Sequence, residues 1–252
     1  MRRDALDLDR FYRSRQGEAA RRMISRRLEA LWPDVTGLDV MGLGFATPYL
    51  QPCKEKARRC VSLMPAGQGA VIQSDALSTA VLADETHLPF PDAMFDRVLL
   101  IHALEEADAL NAILREVWRV LAPQGRIVIV TASRSGIWAR IDSTPFGHGR
   151  PFSKGQLSQL LEGAMFEVSA WSRALYAPPW RWSTGERTSN FWESVGEKAW
   201  PGLGGVVLAE AIKRTAALTP RATGALRSKG LLEGRPVSAL SPRQTRTYSS
   251  DR

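Results

Sequence analysis

Apolar residues recur along the chain with two different periods. Leu6, Phe11, Ile24, Leu28 and Leu31 fall at helix-like spacings and Pro33 closes the segment, so residues 5–32 are predicted as one helix. Its polar face carries Arg13, Arg21, Arg22, Arg26 and Arg27, which reads as a solvated face. Short apolar runs then alternate with amphipathic stretches. GLDVMGLG reads as a buried strand entering a tight turn, and a helix is expected near 48–58. CVSLM is a second strand stopped by Pro65, TAVLA a third ending at Asp84, and FDRVLLIHAL a fourth. Leu110, Ile113, Leu114, Val117, Val120 and Leu121 give residues 108–121 a helical stripe. Pro123 and Gly125 turn the chain into a fifth strand, GRIVIVTA. Beyond a polar loop, residues 153–163 predict a helix, FEVSAWSRAL a sixth strand and GGVVLAEAIKR a seventh. The Trp- and Pro-rich segment 176–203 lies between these two, with no room expected for a helix packed in the usual way.

Near-continuous apolar strands separated by helices imply a parallel sheet covered on both faces. The expected fold class is therefore α/β: a Rossmann-like, doubly wound, mostly parallel seven-stranded sheet with an antiparallel last strand. The expected organisation is an N-terminal helix over 1–34, a domain over 35–214 with an insertion at 176–203, and a tail from 215 to 252. Ligands of such sheets sit at the carboxyl ends of the strands. That brings residues 42–46, 64–69, 84–88 and 101–104 to one cleft.

Charge changes this picture less than it first suggests. The formal net charge is +8, but from Lys213 onward nine Lys/Arg face two acids, Glu233 and Asp251, so the tail carries +7 of it. A basic tail of this kind reads first as a solvated, disordered extension and second as an arm for an anionic partner. No run of about 18 apolar residues is present, so no membrane association is expected. The basic start is followed by acids rather than an apolar stretch, which does not read as a secretory signal. A cytoplasmic location is expected. Cys53 and Cys60 match no zinc spacing and read as reduced thiols, and no metal site is expected.

The sharpest local feature is Gly42-Leu43-Gly44-Phe45-Ala46, after a strand and before a helix, where glycine lets a backbone approach a ligand closely. Further on stand Asp84, Leu88-Pro89-Phe90, Phe95-Asp96, Arg119-Val120-Leu121 and Pro123-Gln124-Gly125. In order and spacing these motifs resemble the central block of type 11 S-adenosylmethionine (SAM)-dependent methyltransferases of class I, and the resemblance spans roughly residues 35–175. GLGFATPYL, LMPAGQG and TPFGHGRP are similar to a bacterial subgroup. The resemblance implies SAM as cofactor. It implies Gly42, Gly44 and Ala46 under the methionine part, and Asp84 on the adenine amino group with the Glu85 backbone beside it. It also implies Leu88 against the adenine and His102 next to the methionine part and the substrate.

Two positions depart from the family pattern. The acid expected two residues before Gly42 is Val40, and Asp39 lies one place off, on the opposite face of a strand. The acid expected to grip the ribose is missing, since no Asp or Glu occurs from Lys56 through Ser74. Ser62 or Met64 falls at that place, and Gln68 or the backbone at 66–68 offers another acceptor. Losing such a charge-assisted pair costs roughly 1.5–3 kcal/mol.

Methyl transfer from a sulfonium rests mainly on positioning. A base is needed only where the nucleophile carries a proton. His102 and His148 are the candidates, since an ordinary imidazole titrates near neutrality. Asp84 as a turn cap and His102 as a core histidine remain open. In Thr144–Pro151, Phe146, His148 and Arg150 are candidate substrate contacts, beside a purely structural turn. Trp180, Trp182, Trp192 and Trp200 read either as a lid over an apolar substrate or as packing. Three functions stay open: a methyltransferase acting on a small molecule, protein or RNA; a non-catalytic relative serving as a binding or regulatory partner; and an RNA-directed enzyme using the basic segments.

Overall fold

A computed structural model describes residues 3–71, 79–180 and 185–214. The tail predicted from residue 215 and Trp182 lie outside the described residues.

The segment predicted as one helix is two, α1 (Ala5–Tyr12) and α2 (Arg15–Leu31). The cause is local. Ser14 is in an extended conformation and its hydroxyl accepts the Gly17 amide, capping α2. Gly17 then lets the two helices cross closely, because a Cβ there would lie 2.7 Å from the Tyr12 Cα. A continuous apolar stripe does not register such a corner.

The remaining elements are β1 (Asp39–Gly44), α3 (Thr47–Lys54), β2 (Arg59–Pro65), β3 (Thr79–Ala83), β4 (Phe95–Ile101) and α4 (Leu110–Val120), then β5 (Leu121–Ala132), α5 (Lys154–Gly163), β6 (Phe166–Ala174), α6 (Glu186–Ala199) and β7 (Val206–Lys213). They form a seven-stranded sheet in the order β3-β2-β1-β4-β5-β7-β6. The first five strands are parallel, and β7 runs antiparallel to both β5 and β6. The expected sheet with its antiparallel last strand is therefore present. The Trp- and Pro-rich segment holds a fourteen-residue helix, α6, against expectation. This helix packs on α2, where Arg27 makes two bonds of 2.8 and 2.9 Å with Glu197, so it needs no place between the strands it connects.

Successive strand residues point to opposite faces, and the core divides accordingly. Val40, Leu99, Val128, Val130 and Leu208 join Leu8, Tyr12, Ile24 and Leu50 on one face. Met41, Leu43, Leu100, Ile129 and Val207 join Ile113, Leu114, Val117, Leu157 and Leu161 on the other. The strand order reverses direction between β1 and β4. Their carboxyl ends flank the switch point, where such sheets hold ligands.

Candidate functional site

At this switch point the glycine turn closes on its own fold. A Cβ on Gly42 would lie 2.5 Å from the Ala46 Cβ and 2.7 Å from Leu50, so Gly42 lets α3 pack onto β1. Gly44 has φ +86° and faces the Ile101 carbonyl. That carbonyl accepts the Phe45 amide at 3.0 Å, which ties the ends of β1 and β4 together.

Helix α1 lies over this turn. The Tyr12 ring stacks on Phe45 at 5.7 Å between centroids, with 10° between planes. Tyr49 donates to the Tyr12 oxygen at 2.9 Å, and Tyr12 lies 2.7 Å from His102 Nε2. Burial, helped by the charge of Arg3, pushes the His102 pKa down to about 3. His102 is therefore neutral, so Nε2 accepts from Tyr12 and the ring proton sits on Nδ1. The backbone of His102 is left-handed, at φ +51°. Phe146 packs on its other side, 4.9 Å between centroids. An imidazole buried this way is a weak base near neutrality, which corrects the expectation drawn from its ordinary pKa.

The other predicted residues divide sharply. Ala46, Met64 and Leu88 are buried in the core, Leu88 in the layer under α4. Ser62 is buried and its hydroxyl is bonded to that of Thr47 at 2.8 Å. Asp84 is exposed and Glu85 half-buried, and the Asp84 carboxylate accepts the amide and hydroxyl of Thr86 at 2.8 and 2.7 Å. These bonds hold the carboxyl below its ordinary pKa. The turn-cap role of Asp84 is thus realised. Asp39 is committed elsewhere, since Arg58 grips its carboxylate at 3.0 and 2.5 Å.

His148 does not meet His102. Its Nε2 contacts the Asp142 carbonyl at 2.6 Å and the Arg3 guanidinium. The Arg150 amide donates to the Glu105 carbonyl at 2.7 Å and its guanidinium to the Ala107 carbonyl. Gly149, at φ +73°, also rests on the Glu105 backbone. The loop read as a candidate substrate clamp fastens the segment after β4. Trp180 and Trp200 are largely exposed and Trp192 packs against the core, and none of the three lines the cleft described next.

That cleft encloses about 10 Å³ of free space. Arg3, Leu8, Gln68, His102, Glu105 and His148 are among its walls. Glu105 is buried, with Oε1 accepting the Ala132 amide at 3.2 Å. Burial pushes its pKa up to about 7 against the pull of these backbone amides. Sequence reasoning did not single out Tyr12, Tyr49 or Glu105. The only available signal was the pair Glu105-Glu106 directly after an apolar strand.

Residues 28–129 match the family model described as Methyltransferase domain. This segment is similar to a methyltransferase domain. Among curated relatives, the demethylmenaquinone methyltransferase of Thermus thermophilus is 33% identical over 95 residues, which is 37% of this chain and 36% of that protein. The ubiquinone/menaquinone biosynthesis C-methyltransferase UbiE of Cupriavidus pinatubonensis is 27% identical over 81 residues, 32% of each. The chain thus spans about a third of the length of the curated relatives it matches. A SAM-dependent methyltransferase of Archaeoglobus fulgidus has a similar fold, with a TM-score of 0.57 at 20% identity over 82% of this chain and 98% of that one. So does the [4+2]-cyclase SpnF, with a TM-score of 0.55 at 18% identity over 81% and 85%. A fold shared with a cyclase does not by itself name a reaction.

The residues expected around the methionine end of SAM face protein. The glycines pack against β4 and α3, and Tyr12 lies on Phe45 and His102. The cleft left beside them encloses only about 10 Å³, the space of one water molecule. With α1 in this position the methionine part of SAM does not fit. Of the residues that the resemblance puts at the adenine, Asp84 is exposed and Glu85 half-buried.

Proposed function

We propose that this chain is a SAM-dependent methyltransferase of unidentified acceptor, whose cofactor requires α1 to move off the glycine turn. One observation carries the reading. The segment matched to the methyltransferase family supplies β1, β3 and β4, and Gly42, Asp84 and His102 lie at the carboxyl ends of those strands, around the switch point. Cofactor binding is tested by thermal unfolding and calorimetry with SAM and S-adenosylhomocysteine. Ligand at 100 times its dissociation constant stabilises by about 2.7 kcal/mol. The reading expects that shift in the parent chain and its loss in Asp84→Ala. No shift in a well-folded sample, with either ligand at millimolar concentration, overturns it.

A second reading has an observation of its own. Tyr12 seated between Phe45 and His102, with both family acids missing, favours a binding or regulatory protein that keeps the fold without the cofactor. Turnover of any methyl acceptor sinks that alternative. We propose further that the chain works in the cytoplasm, where Cys53 and Cys60 stay reduced. Its basic tail would then serve an anionic partner such as RNA. Binding to RNA should fall steeply with salt, and salt-independent or absent binding removes that role. Among the described residues, no helix is long and apolar enough to cross a membrane.

A further inference from the structure

We propose that the cleft at the carboxyl ends of β2 and β4 binds the ammonium group of a small amine between Glu105 Oε2 and Gln68 Oε1. Both side chains are more than nine-tenths buried, at 6% and 5% exposure, and both line the cleft. Among the described residues neither oxygen has a hydrogen-bond partner. The other end of each side chain is already spoken for. Glu105 Oε1 accepts the Ala132 amide, and Gln68 Nε2 reaches the His102 carbonyl at 3.5 Å. The two free atoms are thus both acceptors, held from two different strand ends. Buried acceptors left without donors are costly, and a ligand that donates to both removes the cost.

The charge of the site favours a cation over a neutral donor. Glu105 and Glu106 outnumber Arg3, whose guanidinium reaches outward to His148 and the Asp142 carbonyl. The backbone amide of Arg3 occupies Glu106 Oε2 at 2.6 Å. His102 is neutral, and its Nε2 is taken by Tyr12. Burial holds the Glu105 carboxyl near pH 7 in the empty cleft, so a bound ammonium would draw it into the ionised form. Leu8 and Pro145 give the cleft an apolar wall, and its enclosed space of about 10 Å³ is that of one water molecule, so the ammonium head would enter and a short alkyl chain would stay toward the opening. The proposal deepens the methyltransferase reading, on which this amine is the methyl acceptor, held by Glu105 and Gln68, which lie outside α1, when α1 and its Leu8 move off, and it rests on that reading for that role alone. Binding itself needs no cofactor.

The test is calorimetric titration of the full chain, without SAM, using butylammonium chloride and 1-butanol as its uncharged counterpart. Near pH 8 butylammonium should bind about tenfold more tightly than 1-butanol. This preference should collapse near pH 5.5, where Glu105 is protonated. The pH comparison is repeated in His148→Gln, because that imidazole lines the same cleft. Glu105→Gln should lose the preference near pH 8, and Gln68→Leu should weaken it. Equal binding of the two probes, full preference in Glu105→Gln, or no butylammonium binding up to about 100 mM would each overturn the proposal. If Glu105→Gln does not fold, the pH comparison in the parent chain decides. These outcomes are independent of whether SAM shifts the melting curve, so failure here is distinct from failure of the cofactor reading.

Discussion

Two buried side chains, His102 and Glu105, exchange the roles that their ordinary pKa values suggest. His102 follows β4 beside the glycine turn, and burial, with the charge of Arg3, keeps it neutral. Glu105 sits three residues on and is pushed up to about 7 by burial. The sequence identifies His102 as a residue at a strand end, but not its contacts, because Tyr12 and Phe146 reach it from distant segments. The shift of Glu105 has a measurable sign. Its folded pKa lies above the unfolded value, so the folded state holds an extra proton between about pH 4.5 and 7. Stability is fully present below this window and is lost as pH rises through it, by on the order of 3 kcal/mol. Glu105→Gln should flatten that dependence and be the more stable chain near pH 8. Chemical denaturation of both chains from about pH 4.5 to 8 checks this, and parallel curves would show that Glu105 is not the group responsible.

Between residues and fold, one motif proves to be a structural staple. Arg119 in α4 donates to the Leu88 and Phe90 carbonyls at 2.9 and 2.8 Å, and pairs with Asp92 and Glu116 at 2.8 Å. Glu116 in turn accepts the Leu88 amide at 2.9 Å. Leu88-Pro89-Phe90 and Arg119-Val120-Leu121, read as one family pattern in the sequence, are therefore the two halves of a bonded turn. This explains why the pattern is specific for fold and silent on substrate. Arg119→Ala should cost about 2–3 kcal/mol, because it strands two backbone carbonyls and the Glu116 carboxylate together. Arg119→Lys should recover only part of this, since an ammonium lacks the planar fork. Urea midpoints measure both, and an unchanged midpoint in Arg119→Ala would remove the staple. The strands and most helices were legible because burial imprints their period on the sequence. The corner at Ser14 and helix α6 were not: the first depends on a cap and a close crossing at Gly17, the second on packing against α2.

On the scale of the whole molecule, the sheet order and the cover over its switch point pull in different directions. The order β3-β2-β1-β4-β5-β7-β6 presents the carboxyl ends of β1 and β4 to a ligand, while α1 lays Leu8 and Tyr12 across them. Any cofactor that uses the glycine turn must displace contacts that α1 makes now, so its apparent affinity is reduced by the fraction of molecules in which α1 has left. Tyr12 is the largest of these contacts, stacked on Phe45 and bonded to Tyr49 and His102. Tyr12→Ala should destabilise the empty chain by about 3–5 kcal/mol, the usual range for truncating a buried aromatic ring. The same substitution should tighten SAM binding by about tenfold or more, because the competing contact is gone. Opposite signs for folding and for binding are the signature of a chain segment competing with a ligand. Calorimetry at a temperature where both chains are folded separates them. If Tyr12→Ala loses SAM affinity instead, Tyr12 belongs to the cofactor site, and α1 closes over the ligand rather than standing in its place.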